Sequence, residues 1–135
     1  MIIKVFEFSA AAGSASVNVM PSQFNPVPAD GVLDIWAVLD SGIAGLTAPP
    51  TISVQLGGAT ESTPVVTSSV TGDPNAIQTA GNFPDPVNNP VCRGLAVRQG
   101  TNTSLNLAGG TGAAATGRFR VQFRTAQEVA SGAGL

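Results

Sequence analysis

The chain has 135 residues, enough for one domain with a hydrophobic core. Only 10% of them are charged, against roughly 25% in an ordinary soluble domain, while 43% are hydrophobic. The net charge of −2 argues against a general nucleic-acid binder; the lack of histidine and the single cysteine exclude a Ser-His-Asp triad, a Cys-His pair, a His-ligated metal and a disulfide framework.

In chain order, Ile2–Phe8 reads as a strand, with Phe6 and Phe8 alternating around Glu7. Lys4 and Glu7 interrupt the apolar run that a secretion signal requires, so synthesis in the cytoplasm without a removable leader is expected. Ser16–Met20 is a second strand, and the three prolines of "PSQFNPVPADG" (Pro21–Gly31) then deny a sheet its donors and predict a loop. Val32–Asp40 places Leu33, Ile35, Ala37 and Leu39 on one face and Asp34, Trp36, Val38 and Asp40 on the other. Thr51–Leu56 alternates cleanly, and Pro64–Val70 is β-branched. Thr71–Pro90 carries four prolines and is the longest irregular segment, a length that marks functional or flexible loops. Val91–Arg98, Thr103–Leu107 and Arg118–Thr125 complete the strands. Ala126–Ala130 is the best helical window but too short to count, and "SGAGL" reads as a frayed end. The expectation is an all-β fold: a single antiparallel sandwich of about eight strands over residues 1–127, with a flexible tail at 128–135. A jelly roll is preferred over an immunoglobulin-like sandwich. No run approaches the apolar length of a membrane helix.

Chemistry is scarce. Asp34 and Asp40 share a strand face but stand roughly 20 Å apart, too far for a catalytic pair at about 3.4 Å per residue. Asp30, Asp73 and Asp85 lie in loops where calcium would be the fitting metal; capping of turns by Asx hydrogen bonds is the preferred role. "LAGGTGAAATG" lacks the Gly-Lys-Ser/Thr ending of a phosphate loop and predicts a hairpin connection. Cys92 fits a small buried hydrophobe. No enzyme activity and no cofactor are expected.

Three of the six basic residues, Arg118, Arg120 and Arg124, stand on one face of "GRFRVQFRT", with Phe119 and Phe123 on the other. Nucleic-acid binding would want stacking aromatics on the arginine face. A row of like charges needs offsetting carboxylates, and Asp34, Asp40 and Glu7 are placed to supply them. Arg98 is expected to join the row, and the pairing lies either within the sheet or across a subunit interface.

The stretch "CRGLAVRQGTNTSLNLAGGTGAAATGRFRVQFRTA" resembles, in its Gly/Ala/Ser/Thr-rich loops and sparse charge, small bacteriophage and viral virion proteins built as β-sandwiches. That resemblance implies a phage capsid, decoration or spike-type subunit. It would form a homo-oligomer and touch other virion structural proteins. The loops 21–31 and 71–90 would then reach neighbours through Phe24, Asn25, Asp73, Phe83 and Asp85. The alternative is a carbohydrate-type binding module, for which Trp36 is the one aromatic platform, although burial suits it better.

Overall fold

The computed structural model describes residues 1–41, 50–57, 66–69, 90–112 and 114–133, with side chains left undescribed at 38–41, 66–69 and 90–92. The described residues form eight strands: β1 (Ile2–Ala10), β2 (Val17–Asn18), β3 (Gly31–Ser41), β4 (Thr51–Leu56), β5 (Val66–Ser69), β6 (Pro90–Val97), β7 (Thr103–Ala108) and β8 (Ala115–Thr125). They pair antiparallel into two four-stranded sheets, ordered β1-β8-β3-β6 and β2-β7-β4-β5. The protein is an all-β sandwich.

The alternation legible in the sequence is what closes it. Leu33, Ile35 and Ala37 of β3 and Phe119, Val121 and Phe123 of β8 face inward, all nearly or fully buried. Phe8 and Ala10 of β1 join them, and the second sheet answers with Ile52, Val54, Leu105 and Leu107. Phe119 is the aromatic centre, its ring 4.7 Å from Phe8 and 5.4 Å from Phe6 between centroids. Burying each such side chain contributes about 1.5–3 kcal/mol, so this layer supplies most of the driving force.

Two expectations are corrected. The 21–31 segment does not reach away from the body. Its short 3-10 turn (Ser22–Phe24) drops Phe24 into the core at 0% exposure, and Val27 follows at 2%. The backbone is stitched to the β6–β7 turn, with Val27 N–H donating to Thr101 O and Gly100 N–H to Val27 O. Asn25 is likewise committed, its Oδ1 accepting from Thr103 N–H at 3.1 Å. Apolar area outweighs the prolines here: they prevent a strand without preventing burial.

The second correction is at the C-terminus. Ala126–Ser131 is a helix, α1, packed on β3 and β8 rather than a tail. Six residues are too few to be stable by propensity. A capping box compensates: Glu128 N–H donates to Thr125 Oγ1 at 3.2 Å, and Thr125 N–H to Glu128 Oε1 at 3.0 Å. The N-terminal amine of Met1 adds an ion pair to Glu128 Oε2 at 2.7 Å. Those contacts hold the Glu128 carboxyl down at about 2, the amine first and the Thr125 N–H second.

Candidate functional site

The outer face of the β1-β8-β3-β6 sheet holds the largest group of interacting charged residues that the structure describes. An antiparallel sandwich usually leaves such a face to water. Here Asp34, Trp36 and Gln122 are at 0% exposure and Arg124 at 4%. The register makes the cluster: Asp34 lies opposite Gln122, Trp36 opposite Arg120 and Val32 opposite Arg124.

Asp34 is the hub. Its carboxylate accepts from Arg124 Nε at 2.7 Å and Arg124 Nη2 at 3.0 Å, a two-pronged charge-assisted contact. Gln122 Nε2 donates to it at 3.1 Å and the Gly94 N–H at 2.8 Å. Gln122 then accepts from Arg120 Nη2 at 3.0 Å through its own Oε1, so a neutral amide relays between cation and carboxylate. At the other end Arg124 Nη1 donates to Ala133 O at 3.3 Å, tying the residue beyond α1 to the sheet.

Trp36 occupies the middle. The guanidinium carbon of Arg120 sits 5.2 Å from its ring centroid and that of Arg93 5.6 Å. Each desolvated cation–π contact of this kind contributes about 0.5–2 kcal/mol. That offsets part of a cost, because Trp36 Nε1 and Arg120 Nε are buried and make no hydrogen bond to a described residue.

Arg93 reaches this face through a bulge. Leu95 pairs with Leu33, but Ile35 pairs with Cys92, so three steps on β6 match two on β3. Gly94 takes up the extra residue at φ 69°, in the left-handed region. The bulge redirects Arg93 to Trp36 and points the Gly94 N–H at Asp34. Arg93 escapes a strict period-two reading; the isolated glycine inside a strand pattern was its available signal.

The arginines expected to act together are therefore divided among tasks. Arg124 is internal and paired. Arg120 stacks and relays. Arg118 stands opposite Glu7 in the β1–β8 register. Arg98 does not join the row, because β6 ends at Val97 and the chain turns there, Thr101 N–H donating to Arg98 O. It lines an open cleft of about 330 Å³ with Asp30, Gly31, Val32, Val97, Ala126 and Val129. Asp40 belongs to β3, but its side chain lies outside the described residues, as do Asp73, Phe83 and Asp85 entirely.

Asp30 staples two turns, its Oδ1 accepting from Gln99 N–H at 2.8 Å. Among the described residues no three His, Cys, Asp or Glu side chains converge as metal ligands. On the opposite sheet the outer face carries uncharged groups: Gln55 Oε1 accepts from Ser104 Oγ at 3.1 Å and from Asn106 Nδ2 at 3.0 Å.

The Asp34 network can do one thing well. Its carboxylate is neutralised, enclosed and filled with donors, so it braces β3, β6, β8 and the end of α1 against one another. No protein family, curated protein or solved structure matches the chain.

Proposed function

We propose that the chain is a non-enzymatic structural subunit of a virion, a capsid, decoration or minor structural protein of phage type, acting through self-assembly and contact with neighbouring shell proteins. The observation that carries this reading is the strand order, β1-β8-β3-β6 over β2-β7-β4-β5. Among the described strands only β4 and β5 are neighbours in both sequence and sheet, and each other pair of successive strands lies in different sheets. The immunoglobulin arrangement keeps its first two strands side by side, whereas this order agrees with the paired Greek keys of a jelly roll. Viral shell domains and lectins are both built on that architecture.

Fold alone does not assign function. Two further features favour the shell subunit over the lectin. Trp36, the only tryptophan and the platform the carbohydrate reading needs, is fully buried between Arg93 and Arg120. The surface is also poor in charge, as suits a molecule covered by neighbours. The test is light scattering on the size-exclusion eluate followed by electron microscopy of the purified chain. Regular rings, sheets or shells are expected. A monomer that binds a neutral glycan with its tryptophan fluorescence altered would replace this reading with the carbohydrate one.

A further inference from the structure

The β5 and β6 edges of the two sheets approach each other, which leaves β1 and β2 together on the opposite side of the sandwich. That side is unusually apolar. Of the five exposed large hydrophobic residues described, Met1, Ile3 and Val5 lie on or beside β1 and Val17 lies on β2. Ile3 and Val5 are 44% and 49% exposed and project from the same face of β1. Among the described residues β1 pairs with β8 alone, through all nine of its positions, so its far edge is an unused row of backbone donors and acceptors. Natural edges are normally blunted by proline, bulges or several lysines. β1 has no proline, an unbroken register and one lysine.

We infer that β1 is a homotypic interface: it pairs antiparallel with β1 of a second copy about a two-fold axis, joining the two four-stranded sheets into one of eight strands. This inference rests on the self-assembly reading and names the contact. The charges of the strand select both the partner and the register. A two-fold normal to the sheet keeps each face continuous, so only residues of like parity can stand opposite one another. Centring on Lys4 opposes two lysines, and centring on Glu7 opposes two glutamates; both are disfavoured. Centring on Phe6 sets both Val5 side chains against glutamates and opposes no two exposed apolar residues. Centring on Val5 sets Val5 against its own copy, with the two Ile3 side chains diagonal to it and each opposite the partner's Glu7, and keeps the two glutamates apart. That register opposes the two Val5 side chains without opposing like charges, and it places Lys4 of each strand across from Phe6 of the other, where an ammonium over a ring is favourable.

Sedimentation equilibrium on wild type, Val5→Lys and Val17→Lys tests it. Val5 is half exposed, so its substitution leaves the core intact, which circular dichroism checks. Val5→Lys brings two ammoniums together on the axis and is expected to weaken association at least about tenfold, with Val17→Lys close to wild type. Val5→Cys is expected to form a disulfide-linked dimer on mild oxidation, located at residue 5 by mass spectrometry, since opposed Cβ atoms stand about 4.5–5.5 Å apart. Assemblies that survive Val5→Lys unchanged overturn this interface but leave the shell-subunit reading standing. A Val5-dependent dimer that never grows larger supports the interface and overturns the shell reading. A wild-type chain that stays monomeric at about 1 mM overturns both.

Discussion

Replacing Arg124 by methionine keeps much of the side-chain volume and removes the charge that faces Asp34. In the wild type that carboxylate is fully buried and takes four hydrogen bonds, two of them from Arg124. After the change it keeps only the Gln122 amide and the Gly94 N–H, and no cation touches it. Removing one partner of a buried ion pair costs about 3–5 kcal/mol, because the survivor is left uncompensated. A domain of this kind has about 5–15 kcal/mol in all, so the loss is a large fraction of the total. Urea unfolding followed by circular dichroism should show the midpoint fall by at least about 1 M with little change in slope. Trp36, the sole tryptophan, lies in the same cluster and gives a second probe of the transition. Asp34→Asn combined with Arg124→Met removes both charges and should cost less than Arg124→Met alone. The brace is refuted if Arg124→Met costs under about 1 kcal/mol, or if the double variant costs the sum of the singles.

Gly94→Ala meets no atom within 4 Å of its new Cβ, so its cost is conformational alone, about 1–2 kcal/mol for a left-handed alanine; an unchanged thermal midpoint would contradict the bulge. Gly31→Ala is the harsher change, because its Cβ would fall 2.0 Å from Arg124 O, backbone that cannot yield without parting β3 from β8. Little soluble folded protein is expected from it, and normal expression with wild-type unfolding would disprove that close approach. Glu128 sets a pH dependence: its folded carboxyl is lowered from 4.5 to about 2 by the Met1 amine and Thr125, so its stabilisation is complete above 4.5 and disappears as pH falls through 2. An NMR titration of that carboxyl with a midpoint near 4.5 would mean that the clasp does not form.

Much of this architecture is legible in the sequence because period-two alternation is a local property. Phe119, Val121 and Phe123 against Arg120, Gln122 and Arg124 assign both faces of β8 without any knowledge of its neighbours. The same holds for Leu33, Ile35 and Ala37 of β3. The partner of the arginines was legible in kind and not in place: Asp34, Asp40 and Glu7 all stood on suitable faces, and only the register selects Asp34 for Arg124. Arg93 reaches the cluster because an inserted residue at Gly94 inverts the alternation just upstream of it, and Arg98 misses it because β6 stops at Val97. Phe24 was hidden by its company, since a proline-rich loop signals the absence of a strand and says nothing about where an aromatic ring inside it turns. The α1 helix did have a local signature in Thr125-Ala-Gln-Glu128, the spacing of a capping box, which outweighs its short length.

The position of β8 has a consequence for how the molecule comes into being. It is the last strand of the chain and yet the second in its sheet, wedged between β1 and β3. Residue 2 must wait for residue 123, and residue 31 for residue 125. During synthesis β1 is made well before β8 and waits for it to emerge. Loop-closure entropy is thus met when β8 arrives, in one step that also installs Arg124 against Asp34 and Phe119 against Phe8. Arrival of β8 and completion of the core are the same event.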